Sequence, residues 1–138
     1  MVRIEVLPWE RAREPATPIR FEVFVAEQGV PPGIELDDLD ERCTHALAFD
    51  DGKPVGTGRL LPDGHIGRMA VLRNWRGRGI GSLILRELVE TARQRGVREI
   101  ALSAQVHALA FYRAHGFATE GDIYQEAGIA HQAMRRKL

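Results

Sequence analysis

A chain of 138 residues, 44% hydrophobic and 28% charged, has the make-up of one globular domain, spanning 1–138, that buries a core without staples. Its 19 basic and 19 acidic side chains cancel, so no whole-body field draws it to nucleic acid or to a membrane surface. A single cysteine, Cys43, excludes an internal disulfide and a cysteine-based zinc cluster, and no apolar run nears the ~20 residues of a membrane span.

The opening residues MVRIEVLPWE lack the apolar core of a secretory signal, so the cytoplasm is the expected compartment. VRIEVL (2–7) alternates apolar and charged residues as a strand does, and Pro8 ends it. A helix is predicted over 16–29, with Thr17 as N-cap, Pro18 as first helical residue and Gly29 as its stop. ELDDLDERC (35–43) reads as an acidic loop, either solvated or set to attract a cationic ligand. Strands follow at 45–50, 53–62 and 65–72, joined by Asp-Gly turns that make them antiparallel neighbours. Ile80, Leu83, Ile84, Leu88 and Ala92 form the stripe of a helix over 79–95, closed by Gly96. A strand at 98–105, a short helix at 107–116 and a closing pair of strands complete the chain. The strand–helix–strand unit from 65 to 105 should be a right-handed parallel crossover, so the sheet is mixed.

The loop RNWRGRGIGS (73–82) lies between strand and helix, where backbone N–H groups and the positive helix end hold phosphate. It lacks the Gly-Lys-Ser/Thr of a P-loop. It also fails the dinucleotide fingerprint: Ser82 stands at the last small position, and the next strand ends in SAQ with no carboxylate for a ribose. Arg73, Arg76 and Arg78 nonetheless make it basic, and Gly77, Gly79 and Gly81 permit close backbone approach.

What the loop does satisfy is Arg-x-x-Gly-x-Gly, at Arg76, Gly79 and Gly81. With HIGRMAVLRNWRGRGIGSLIL before it and around it, and the Phe-Tyr-x-x-x-Gly-Phe pattern of LSAQVHALAFYRAHGF after it, the chain resembles the GCN5-related N-acetyltransferases (GNAT) over nearly its whole length. EVFVAEQGVP, ELDDLDE and EAGIAHQAM are similar to the small bacterial ElaA/YjcF-like branch. The resemblance implies an α/β (α+β) fold: one mixed sheet of about seven strands, about four flanking helices and a β-α-β unit for acetyl-CoA.

It also implies a chemistry, direct acetyl transfer from the thioester to the primary amine of a small molecule in a ternary complex, with no metal. Backbone groups of Met69, Ala70 and Val71 would bind pantetheine. Arg76, Gly77, Arg78, Gly79, Ile80, Gly81 and Ser82 would hold the pyrophosphate, and Gln105 would reach pantetheine or substrate. Tyr112 matches the family's thiolate-protonating tyrosine, its phenol being of basicity similar to a thiol's. Glu27, raised in pKa by partial burial, is the candidate base. Gln28, Glu126 and His131 are candidate acceptor contacts, His131 also a second candidate base. A homodimer through the C-terminal strands is a further expectation from the family. Two other readings stand beside this one: a non-catalytic acyl-CoA-binding or regulatory module, and an acyltransferase for another acyl-CoA or a protein amine. The residues of the sequence do not name the amine.

Overall fold

The computed structural model describes residues 1–35 and 37–138; the side chain of Ile34 and all of Leu36 fall outside the description. Strand β1 (Val2–Pro8) leads into helix α1 (Trp9–Arg20), which widens into a π-helical stretch, Phe21–Glu27. A single turn, α2 (Pro32–Glu35), precedes β2 (Thr44–Asp50), β3 (Lys53–Leu60) and β4 (Ile66–Val71). Then come α3 (Ile80–Gln94), β5 (Glu99–Gln105), α4 (Leu109–Ala114), β6 (Ala118–Glu126) and β7 (Ile129–Lys137).

The seven strands form the expected mixed sheet, in two hydrogen-bonded halves. One runs β1-β2-β3-β4, antiparallel throughout; the other runs β5-β7-β6. Between β4 and β5 there is a parallel bridge from His65 to Ala101, with Ala101 N–H donating to Gly64 C=O at 3.2 Å. Beyond it the two strands diverge. The cause lies in β4. Two β3 residues, Thr57 and Arg59, span three steps of β4, from Ala70 to Gly67. The surplus residue is a bulge, and Arg68 enters it at φ 50°, a left-handed conformation that costs a side-chain-bearing residue free energy.

One face of the first half-sheet is covered by the α3 stripe, in which Ile80, Ile84, Leu85, Leu88 and Ala92 are almost fully buried against Ala46, Ala48, Val55 and Leu60. The approach is close because β3 carries glycine: a Cβ on Gly58 would stand 2.5 Å from Met69 Sδ and 3.0 Å from Leu88 Cδ1. The other face takes α1 through Ala12, Ala16, Ile19 and Val23. That helix begins eight residues before the predicted cap. Pro15 and Pro18 lie inside it, and Thr17 caps nothing; its hydroxyl donates to Arg13 C=O at 2.7 Å. Prolines remove two helical hydrogen bonds. Burial of a small-residue stripe on the sheet outweighs that loss. Among the described residues there are three α-helices of more than one turn, plus the α2 turn, where about four helices are expected.

The acidic stretch is corrected most. It is neither a solvated loop nor an open cation trap. Arg20, 2% exposed, donates through Nε to Glu35 Oε1 at 2.6 Å and through Nη1 to Asp40 Oδ1 at 2.9 Å. Arg59 grips Asp37 at 2.8 and 2.9 Å and shares Asp40 at 2.9 Å, and Arg68 Nη2 donates to Asp37 at 3.2 Å. His45, its pKa lowered by burial, donates from Nε2 to the Asp40 carbonyl at 3.0 Å. The basic partners come from α1, β3 and β4, so the carboxylates fasten the connection between α1 and β2 to the sheet. Asp37 is held down to about 2 by the hydrogen bonds from Arg59. Of its described carboxylates, only those of Asp38 and Glu41 stay exposed.

Candidate active site

The divergence of β4 from β5 opens a cleft of about 810 Å³. Its size is that of a small-molecule site. Met69, Ala70 and Val71 line it from β4, Leu102, Ser103 and Gln105 from β5, Tyr112 from α4, and Glu126 and His131 from the last two strands. Phe24, Glu27 and Gln28 close it from the end of the π stretch. A second hollow, about 710 Å³, lies between α1 and the turns at 53–54 and 72–75; it shares Glu27 but touches neither β5 nor Tyr112. Of the sequence-predicted residues, those of β4, Arg76, Gln105, Tyr112, Glu27, Gln28, Glu126 and His131 line the first, while residues 77–82 of the glycine loop do not.

On β4, Val71 pairs with Gly56, and the next ladder bond runs from Leu72 N–H to Val55 C=O. Val71 is thus in a non-hydrogen-bonded pair, and its own N–H and C=O point to the open edge. The carbonyl accepts from Arg76 Nε at 2.9 Å.

The glycine loop turns through φ 76° at Gly77 and φ 79° at Gly79, and a Cβ at either would meet nothing within 4 Å. Positive φ, not crowding, is what asks for glycine there. At Gly81 the reason is contact: a Cβ would press on the Phe111 ring at 3.4 Å. The α3 ladder begins with Leu83 N–H to Gly79 C=O. Among the described residues, no N–H from Gly77 to Ser82 donates to a backbone carbonyl, which leaves a basic, N–H-rich concavity fit for a pyrophosphate. Ile80 contributes its backbone alone, since its side chain is 2% exposed in the core. Ser82 Oγ is paired with His115 Nε2 at 2.9 Å. His115 is half-buried, and burial lowers its pKa.

Two predicted side chains have other partners than those expected. The Arg76 guanidinium gives Nη1 and Nη2 to the two oxygens of Glu27, both at 2.7 Å. It is a tie between loop and helix and is not turned to a phosphate. Glu27 in turn is held below the usual carboxylate range by the Arg76 hydrogen bonds, with Arg73 at 3.7 Å. The expected upward tuning of a base is absent: partial burial raises, but a bidentate guanidinium lowers more. Next to this tie, Gln28 and Gln105 exchange amide hydrogen bonds, Gln105 Nε2 to Gln28 Oε1 at 2.8 Å and the reverse at 3.3 Å. Residues 27 and 28 thereby span both sides of the split.

Tyr112 is nine-tenths buried between Phe111 and Phe117, with ring centroids at 5.0 and 5.9 Å. Burial pushes its phenol up to about 12, above the ordinary value assumed from sequence. Cys43 is buried, and burial pushes its thiol up, away from nucleophilic use. Among the described residues no three His, Cys, Asp or Glu side chains are grouped to hold a metal, and no helix is long and apolar enough to cross a membrane. Arg68 and Gly58 went unnoticed in the sequence, since neither a bulge nor a glycine contact has a local signature.

Comparison with known proteins agrees with this geometry. The family described as acetyltransferase (GNAT) domain matches residues 16–138. The chain is 37% identical over 122 residues to YjcF of Bacillus subtilis, described as an uncharacterised N-acetyltransferase, covering 86% of this chain and 87% of that one. A crystal structure of an acyl-CoA N-acyltransferase from Pseudomonas aeruginosa superposes with a TM-score of 0.88 at 30% identity, covering 99% of each chain. That of Escherichia coli ElaA does so with a TM-score of 0.88 at 26% identity, again over 99% of each. With its split sheet, its glycine loop and these relatives, the chain belongs to the GNAT acetyltransferase family, in its ElaA/YjcF-like branch, and is an N-acetyltransferase enzyme.

Proposed function

We propose that the protein transfers acetyl from acetyl-CoA directly to the primary amine of a small molecule. The observation that carries the reading is the cleft itself. It brings the open β4 edge, where pantetheine would lie, together with Tyr112 and a set of polar side chains, and Arg76 on its wall leads into the N–H-rich loop for a pyrophosphate. Gly77, Arg78, Gly79, Ile80, Gly81 and Ser82 offer the anion their N–H groups, while Arg76 holds loop and helix together. The N–H groups of β4 stand where a thioester carbonyl would gain negative charge. Tyr112, with its proton firmly held, donates a hydrogen bond and then that proton to the departing sulfur. Glu27, kept ionised by Arg76, acts as an anion that orients an incoming ammonium. Gln28 and Gln105 unpair to admit the two substrates. The acceptor is a small molecule because the cleft, about 810 Å³, has the size of a small-molecule site. We place the enzyme in the cytoplasm, with a homodimer through the C-terminal strands as the assembly to test.

The test is calorimetric titration of acetyl-CoA into the wild type and Gly79→Ala, followed by a screen of small primary amines for CoA release. Wild-type binding weakened about tenfold or more by Gly79→Ala, where φ is 79°, supports the site. A folded wild type that binds no acetyl-CoA overturns the reading. Binding without release by any amine favours a non-catalytic acyl-CoA module. Equal release from longer acyl-CoA donors widens the donor class.

A further inference from the structure

We infer that His131 is the base that accepts the proton of the acceptor ammonium, through Nε2, and that Glu126 orients and steadies the imidazolium so formed. This deepens the acetyl-transfer reading and rests on it.

The argument begins with the ring's two nitrogens. His131 Nδ1 lies 2.7 Å from the Ile129 carbonyl. A carbonyl oxygen only accepts, so the hydrogen of that bond is on Nδ1. In the neutral ring Nε2 then carries the lone pair, the form a general base requires. Nε2 stands 3.4 Å from Glu126 Oε2. A carboxylate also only accepts. Neutral Nε2 has no proton to offer it, so the pair becomes complementary once Nε2 is protonated. The site is thus arranged for the state that follows proton transfer, not the one before it.

The surroundings hold the ring in that pose. Ala127 and Gly128, at φ 53° and 78°, make the tight turn that starts β7, which brings His131 opposite Tyr124 of β6 and Gln105 of β5. The Tyr124 ring stacks on the imidazole at 6.1 Å and 24°. His131 is 6% exposed, yet it lines the cleft that Tyr112 and Met69–Val71 line. From β6 it faces the Glu126 carboxylate and the Tyr124 phenol, and from β5 the neutral Gln105 amide. Glu27, the rival, has both oxygens on Arg76.

The step balances. His131 Nε2 takes one proton from R–NH3⁺, and the freed lone pair forms the N–C bond to the thioester carbonyl carbon. The C–S bond breaks, and sulfur takes the Tyr112 proton. The second nitrogen proton returns to Tyr112, and His131 later releases its proton to water.

Two measurements test the assignment. The first uses the free protein: long-range 1H–15N NMR should find the neutral His131 ring protonated on Nδ1, and a ring protonated on Nε2 overturns the proposal whatever the enzyme acetylates. The second compares acceptors in His131→Gln. With the alkylamine of the screen that the wild type acetylates best, kcat should fall about 100-fold or more. Acetyl-CoA affinity should be unchanged. With hydroxylamine, which is neutral at pH 7, the loss should shrink to under about tenfold, since no ammonium must be deprotonated. Glu126→Gln should lower kcat for the alkylamine more than for hydroxylamine, in the same pattern as His131→Gln. An equal loss for both acceptors makes His131 structural and overturns the proposal. A wild type that binds acetyl-CoA but acetylates no amine defeats the acetyl-transfer reading, and with it this role.

Discussion

Arg76 and Glu27 are 49 residues apart in sequence, yet Nη1 and Nη2 of the one meet Oε2 and Oε1 of the other at 2.7 Å each, while Nε of the same guanidinium holds the Val71 carbonyl. Three pieces are joined at one side chain: the glycine loop, strand β4 and the end of the π-helical stretch. Arg76→Ala and Glu27→Gln should therefore behave as one lesion. Each should lower kcat/KM for the amine by a similar factor, roughly fivefold to tenfold, and the double variant should be no worse than either. Acetyl-CoA affinity should change less, by under about threefold, since the loop N–H groups remain. A double-mutant cycle with calorimetry and steady-state kinetics checks this; additive losses would separate the two residues.

Tyr112 makes a second prediction. Its phenol is pushed up to about 12 by burial, so it keeps its proton well above the ordinary phenol value of 10.0. Activity that depends on it should show no alkaline fall-off below about pH 10. Tyr112→Phe should keep the fold and lower kcat by about 100-fold with little change in acetyl-CoA affinity. A near-normal kcat would return Tyr112 to a packing role between Phe111 and Phe117.

The buried charge cluster predicts an acid transition. Asp37 is depressed from 3.8 to about 2 by Arg59, so its contribution to stability is complete above pH 3.8 and is lost as pH falls toward 2. Denaturation midpoints should drop through that window, and Asp37→Asn should flatten the drop. Arg20→Met is more severe at neutral pH. It leaves Glu35, 2% exposed, with only Arg68 at 3.6 Å and Asp40, 3% exposed, with only Arg59, at a cost of up to about 3–5 kcal/mol. Urea unfolding of the two variants measures both.

Gly58 predicts a packing failure. A side chain there would drive into Met69 Sδ, Ile84 and Leu88. Gly58→Val should cost about 1–3 kcal/mol or more by overpacking, read as a lower thermal midpoint. Because Met69 adjoins the bulge, acetyl-CoA affinity should fall in the same variant.

Much of this was legible in the chain. Alternation in VRIEVL, Asp-Gly turns, and the Ile80–Ala92 stripe act over a few residues, so a local reading finds them. The motif from Arg76 to Gly81 and the Phe-Tyr of α4 pointed to the cleft that the fold then assembles. What local reading misjudged depends on partners far away in sequence. Prolines at 15 and 18 speak for a helix start, yet the sheet rewards burial of Ala12 and Ala16 enough to run the helix through them. The acidic run looks solvated until Arg20, Arg59 and Arg68 arrive from three other elements.

The sequence by itself determined the order of elements and the glycine loop, because periodicity and turn chemistry are local properties of the chain, and its motifs carried the resemblance to the family. Only the tertiary structure decided which ionisable groups are engaged. It locks Glu27 to Arg76, buries Tyr112, and fixes His131 with its Nδ1 on a carbonyl and its Nε2 beside Glu126. The physical reason is that a side chain's proton affinity and its freedom to react are set by burial and by neighbours within a few ångströms, and those neighbours are chosen by the fold.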